Sequence, residues 1–280
     1  MIDRFVRRLV PSAAVLGRSR LAPLLDLADR AVTWRHPEWR GLPPASLRVR
    51  IGVGNRILMN QRDFLDHGRR TVEELDRRGC LRPGAAVLEL GCGCGRNAIA
   101  LAGYLDETGR YVGQDVDAEM IDWCRRHLSG GRFRFFHADV HSAVYNPGGR
   151  RLSDYRLPCD DGTADTVIAV SVFSHLLHED FVRYLEECGR VLAREGRLYM
   201  TLFLMDAIRP RLGDRWSFAH RRGEAYIESP SLPEAAVAYD LATVERALAE
   251  AGLTIVDLYN EEFHQQTLIL APAEGPPAAG

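Results

Sequence analysis

The sequence predicts an α/β fold, a doubly wound and mostly parallel sheet with helices on both faces, and three observations carry that prediction. Residues 86–97, AVLELGCGCGRN, run from a buried apolar stretch into three alternate glycines, Gly91, Gly93 and Gly95, and then into a helical pattern from Arg96. From residue 85 onward strand and helix patterns alternate, which argues a parallel sheet covered on both sides. The chain has 280 residues, 46% hydrophobic and 26% charged, enough to bury a full α/β core in a globular protein.

In chain order, residues 1–79 read as a helical extension. Amphipathic stretches at Leu21 to Val32 and Asn60 to Arg78 flank a loop holding Pro37, Pro43 and Pro44. The second stretch places Phe64, Val72 and Leu75 on one side among charges, as in a helix laid on a core, where it could cover a ligand. Gly52 and Gly54 form another glycine pair, but no clean helix follows them. Arg4, Arg7 and Arg8 make a basic N-terminal turn, a membrane-touching patch or a solvated helix face.

The main domain is expected over residues 80–272. A second strand, Arg110 to Asp115, precedes a helix from Ala118 to Leu128; a third, Phe133 to Ala138, is followed by Asp139. Asp115 lies 24 residues past Gly91 and Asp139 another 24 past Asp115, one βα unit each. A polar excursion over 141–163 leads to a fourth strand, Ala164 to Ser171. A helix from about Glu179 to Ala193 and a fifth strand, Arg197 to Leu204, come next. Residues 205–238 show no regular period and hold Trp216, Phe218, His220 and Tyr226, the composition of a lid or substrate loop. A helix from Leu241 to Ala251 and strands Leu253 to Tyr259 and Gln266 to Ala271 complete the domain, and 273–280 form a tail of disordered composition.

Composition narrows the chemistry. All 36 cationic residues in the Lys+Arg count are arginine, so neither a Schiff-base lysine nor a P-loop lysine is present. A formal charge of −2 gives no global field for nucleic acid, no apolar run reaches the ~18 residues of a membrane span, and no signal-peptide core follows the start. Six scattered cysteines lack metal-ligand spacing; Cys92 and Cys94, inside the glycine turn, read as small spacers, and a reduced cytoplasmic protein is expected.

A glycine turn at a helix N-terminus lets a ligand lie against backbone N–H groups. The sixth position of the dinucleotide fingerprint is Arg96 rather than glycine, which weakens a pyrophosphate reading, and Glu89 at the strand end would repel phosphate and suit a cationic ligand. With Glu89, Gly91, Gly93 and Gly95, the segment resembles motif I of the class I, seven-strand S-adenosylmethionine (SAM)-dependent methyltransferases. Asp115 then stands where the family's second-strand acid binds both ribose hydroxyls, and Asp139 with Val140 where a carboxylate takes the adenine amino group, although each acid could instead cap its strand. Arg190 to Met200, RVLAREGRLYM, resembles the family's helix-turn-strand before strand five, with Glu195 in place of a glycine. The resemblance covers roughly residues 80–272 and implies a Rossmann-like seven-stranded sheet, SAM as cofactor, and cofactor contacts at Glu89, Gly91, Cys92, Gly93, Asp115, Val116, Met120, Asp139, Val140 and Ser171.

After the fourth strand the chain reads Ser171-Val172-Phe173-Ser174, not the [DNS]PP[YFW] of amino-methylating nucleic-acid enzymes, and Pro158-Cys159 precedes that strand rather than following it. SVFSHLLHED resembles a small-molecule branch with SVF[ST]HLLPED, departing at His178. The expected activity is methyl transfer to a small-molecule acceptor, foremost a hydroxyl of a sugar or natural product. Nitrogen or carbon acceptors, or SAM binding without transfer, are the alternatives. His175, just past the fourth strand, is the first candidate base or else a brace for the next helix; His264 and His220 are weaker candidates. His175 and His178 form an HxxH pair without an evident third ligand, so no metal is expected. Oligomeric state is open.

Overall fold

The computed structural model describes residues 17–51, 60–209, 216–260 and 265–273. Expectations placed on Arg4, Arg7 and Arg8, on Gly52 and Gly54, on His264 and on the tail beyond 273 lie outside these residues.

β1 (Ala86–Leu90) is buried along its whole length, because it lies between two parallel neighbours and under helices on both faces. β2 (Arg110–Asp115) pairs with it from Ala86↔Arg110 to Leu90↔Gln114, β3 (Phe133–His137) pairs with β2, and on the other side come β4 (Ala164–Ala169) and β5 (Leu192–Leu204), all parallel. β10 (Gln266–Pro272) is antiparallel to β5, and β9 (Leu253–Asn260) is antiparallel to β10. The order β3-β2-β1-β4-β5-β10-β9 turns back between β1 and β4, so the open crevice of this Rossmann-like sheet lies beyond the carboxyl ends of those strands.

Period-two alternation divides β1 between two cores. Val87 joins Ile168 and Tyr199 under α3 (Gln61–Arg77), α4 (Arg96–Tyr104) and α5 (Ala118–His127). Leu88 and Leu90 join Val167 and Met200 under α6 (His178–Val191) and α8 (Leu241–Glu250). α3 buries Phe64, Val72 and Leu75, as its spacing predicts, and Gly68 lets it approach α4: a Cβ there would stand 2.5 Å from the Arg96 carbonyl oxygen.

One expectation is corrected. Residues 205–238 are not irregular throughout: after α7 (Met205–Ile208), β6 (His220–Arg222), β7 (Ala225–Ile227) and β8 (Val237–Tyr239) add an antiparallel ribbon whose β8 runs parallel to the end of β5, making a ten-stranded sheet. Strands of three residues are too short to show period-two alternation. Trp216 and Phe218 pack tilted against Phe203, with ring centroids 5.2 and 5.1 Å away, and close a small core of their own with Met205, Ile208 and Ala238.

α1 (Ala22–Thr33) turns Asp26 and Asp29 toward the protein beside half-buried Leu25, and leaves Leu24 and Leu27 exposed. Asp29 receives two hydrogen bonds from Arg48, at 2.7 and 3.1 Å, and one from Gln61 at 2.7 Å. Asp26 caps α2 (Ala45–Arg48) through the Ser46 amide and hydroxyl, both at 2.8 Å.

Candidate active site

At the crevice, Gly91, Gly93 and Gly95 take φ of +69°, +54° and +84°, which only glycine adopts without strain. A Cβ on Gly91 would stand 2.6 Å from Val172, and one on Gly93 2.7 Å from Ile51, so the turn is also sterically reserved. Cys92 N–H donates to the Gln114 carbonyl at 2.9 Å, tying the turn to β2. Cys92 and Cys94 are buried with thiols pushed up by desolvation, Cys94 to about 12, which keeps them protonated and suits the spacer reading.

The acids at the strand ends have unequal surroundings. Asp115 accepts from Gly93 N–H at 2.7 Å and from Asp117 N–H at 2.8 Å; burial pushes its pKa up to about 6 against these bonds. Glu89 stands behind the turn, fully enclosed, and accepts from Asn97 Nδ2 at 2.7 Å and Tyr111 OH at 2.6 Å. Burial outweighs both bonds and raises its pKa to about 7. Asp139 is exposed beside Arg150 at 3.4 Å, while Val140 is buried. Met120 lies under the turn, its Sδ 3.7 Å from where a Gly93 Cβ would be.

Val116 lines a cavity of about 680 Å³ bounded on the sheet side by Asp117, Glu119, His137, Tyr145 and Asn146, and on the other by Gly17 to Arg20 and Arg50 of the extension. Arg50 reaches Glu119 at 2.7 Å and Asp117 at 3.4 Å, and Arg18 reaches Asp117 at 3.0 Å. Sequence reasoning missed Arg18, Arg50 and Ile51. Their partners lie far along the chain, 67 residues away for Arg50 and Asp117, and no local pattern reports such pairs.

Past β4, Ser171 holds φ of +57°, a strained value for a residue with a Cβ. Its N–H donates to Thr201 Oγ1 at 2.8 Å and its hydroxyl to Gln265 Oε1 at 3.0 Å; Gln265 Nε2 in turn donates to Ser174 at 3.2 Å. His175 ends the following turn, Phe173–His175. Its Nδ1 is 2.8 Å from the Glu234 carbonyl oxygen. A carbonyl only accepts, so Nδ1 carries the proton and Nε2 keeps its lone pair. Burial lowers the pKa of this imidazole, and Tyr145 meets it edge-on at 5.7 Å. Glu234 also accepts the Ala143 N–H at 2.6 Å, so the 205–238 segment touches the site through 233–235 rather than through its aromatic residues. His220 lies exposed on β6. Among the described residues no three His, Cys, Asp or Glu side chains converge as a metal site.

The residues present suit a cofactor with a zwitterionic amino-acid end. Arg96 Nε and Nη1 and Asn97 Oδ1, at the first turn after the glycines, are buried without hydrogen-bond partners, orphan donors beside an orphan acceptor. Buried polar groups seldom stay unpaired, and an α-carboxylate and an α-ammonium would satisfy both kinds. Asp115 could take ribose hydroxyls and Val116 and Val140 an adenine ring.

Residues 87–196 match the family model described as a methyltransferase domain. The chain is 30% identical over 124 residues to the arsenite methyltransferase of Aquipseudomonas alcaligenes, covering 43% of this chain and 33% of that protein. It is 26% identical over 212 residues to a Pseudomonas putida protein named "Probable fatty acid methyltransferase", covering 75% and 46%. The chain thus spans between about a third and a half of the length of these curated relatives. A chain in the complex of the Haloferax volcanii Trm112 methyltransferase activator with a methyltransferase superposes with a TM-score of 0.53 at 18% identity, covering 76% of this chain and 93% of that one. A SAM-dependent methyltransferase from Clostridium acetobutylicum gives 0.50 at 13% identity, covering 76% and 92%, a likeness of fold. The glycine turn and the strand order agree with the match: residues 87–196 carry a methyltransferase domain on a Rossmann-like sheet.

Proposed function

We propose that this protein methylates a hydroxyl group of a small molecule, with SAM as donor and His175 as general base. The observation that carries the proposal is the His175 tautomer. The Glu234 carbonyl holds the proton on Nδ1, and burial keeps the ring neutral, so Nε2 is ready to take an acceptor's proton. The family's cofactor supplies an electrophilic methyl on a sulfonium, and little beyond orientation and desolvation is then required.

In this reading Asp115 orients the ribose, while Arg96 and Asn97 hold the amino-acid end. Val116, Val140 and Met120 border the adenine, and the backbone of Gly91, Cys92 and Gly93 lets the cofactor approach closely. Glu89 acts from behind the turn by fixing Asn97, and Asp139, exposed, reaches the adenine only at the rim. Strained Ser171, with Thr201 and Gln265, shapes the opening from which the methyl leaves. With the cofactor bound, an acceptor oxygen would take the methyl group as the carbon–sulfur bond breaks, and the hydroxyl proton would pass to His175 Nε2. Relatives carry names for arsenite and fatty-acid substrates, which supports a small-molecule acceptor without choosing one.

The test is calorimetric binding of SAM and S-adenosylhomocysteine, followed by an acceptor panel of alcohols, phenols, amines and thiols with release of S-adenosylhomocysteine as readout. Turnover of phenols or alcohols with amines inert supports the proposal. Turnover of amines alone would move the acceptor to nitrogen and leave His175 without this task.

A further inference from the structure

The outer face of α1 has no use in the site just described. Along it stand Leu21, Leu24 and Leu27, with Trp34 just past its end, exposed by 54%, 63%, 63% and 73%. Ala28 and Ala31 fill the spaces between them and are exposed too. A helix laid on a core turns such residues inward. Here the inward face carries Asp26 and Asp29 beside half-buried Leu25 and Val32, and its acids are consumed by the protein: Asp29 by Arg48 and Gln61, Asp26 by Ser46. What remains outside is apolar and cationic. Arg20, Arg30, Arg35 and Arg40 surround the stripe with exposed side chains, and none of them forms an ion pair among the described residues. The neighbouring acid Glu38 is engaged by His36.

We infer that α1 is an interfacial element that seats the protein on an anionic lipid bilayer. An apolar stripe of leucines, a terminal tryptophan and flanking arginines is the pattern of a helix lying in the headgroup plane, with the leucines among acyl chains and the guanidinium groups at lipid phosphates. No helix among the described residues is long and apolar enough to cross a membrane, so the contact is peripheral. Charge complementarity selects the bilayer over a second copy of the chain, because pairing two such faces would bring arginines against arginines. The cavity beside Arg18 and Arg20 adjoins the same helix through Ala22 and Pro23, so a seated protein would hold this edge of its cleft near the lipid surface.

The experiment is co-sedimentation of the full chain with vesicles of phosphatidylcholine alone or mixed with phosphatidylglycerol. The wild-type protein should pellet with the mixed vesicles, less so at high salt, and stay in solution with phosphatidylcholine. Leu24→Glu combined with Leu27→Glu should weaken that binding by at least ~10-fold, the loss expected when a buried leucine is given up, with melting temperature and SAM affinity unchanged because both side chains are exposed. Absence of binding to the mixed vesicles, or equal binding by the double variant, overturns the inference. So does a light-scattering mass of a dimer that the double variant converts to monomer, which would assign the stripe to a second copy.

Discussion

The two walls of the cleft are built by different physics. On the sheet side the glycine turn, Asp115 and Asp117 are fastened by short hydrogen bonds to backbone groups near in sequence or in register: Cys92 to Gln114, Gly93 to Asp115, Asp117 to Asp115. On the extension side, Arg18 and Arg50 reach across to Asp117 and Glu119 by charge, while Arg48 and Asp29, both buried, pair within the extension itself. The first wall is preorganised by the sheet. The second, the part of the extension before α3, meets the sheet side through ion pairs at Asp117 and Glu119 and through Leu47 in the core, and its removal should cost the cleft its cover first. Substitutions can separate the two.

The largest effect is expected where the walls meet the chemistry. His175→Gln or His175→Ala should lower turnover by roughly 10²–10⁴-fold with SAM affinity near wild type. Wild-type activity should fall toward acid with a midpoint below the ordinary histidine value of 6.5, because burial lowers this pKa and protonation removes the Nε2 lone pair. That acidic limb should be absent from the variants' rate profiles. Loss of thermal stability with activity and its pH dependence intact would instead make His175 a brace.

Next comes the fastening of the extension. Arg48→Ala leaves Asp29 buried with Gln61 but without its cation, and breaking a buried pair costs about 3–5 kcal/mol. If the extension is an added layer, calorimetric melting should resolve an early transition while the sheet domain unfolds near its original temperature. A single transition shifted as a whole would show that the extension and the sheet form one cooperative unit.

Glu89 gives the sheet side a pH signature of similar size. Between about 4.5, its ordinary value, and about 7, its folded value, the native chain holds a proton that the unfolded chain releases. Stability therefore falls as pH rises through that window and levels off above it, by ~3 kcal/mol for this one carboxyl. Asp115 adds the same sign between 3.8 and about 6. Denaturant melts across this range should show the decline, and Glu89→Gln should flatten most of it. A flat wild-type profile would mean that the Tyr111 and Asn97 hydrogen bonds keep Glu89 ionised after all.

The same division explains what could be read from the sequence. The strand-turn-helix at 86–97, the βα spacing to Asp115 and the burial of Phe64, Val72 and Leu75 follow from short-range periodicity, and the structure has them where the pattern puts them. The ribbon over 220–239 was hidden because each strand is three residues long. The orientation of α1 was hidden for a different reason. Its hydrophobic periodicity is real, but tertiary ion pairs at Asp29 decide which face turns inward. The contacts of Arg50, and the Glu234 carbonyl that sets the His175 tautomer, depend on distant segments that no window spans.

Asp115 offers the finest discrimination, because it belongs to both the turn and the proposed ribose contact. Replacing it by alanine removes a charge-assisted acceptor, a loss of about 1.5–3 kcal/mol, or roughly 10- to 150-fold in affinity for S-adenosylhomocysteine. The same change releases the Gly93 and Asp117 N–H groups, so part of that loss could reach the ligand through a loosened turn. Asp115→Asn keeps one carbonyl oxygen for one of these donors and presents an amide to the other. Comparing S-adenosylhomocysteine with its 2′-deoxyribose analogue separates the causes. If Asp115 binds the ribose directly, wild type should prefer the hydroxylated ligand and both variants should lose that preference. If it only holds the turn, each variant should weaken the two ligands by the same factor, and the ribose assignment would fall while the role of Asp115 in shaping Gly93 remained.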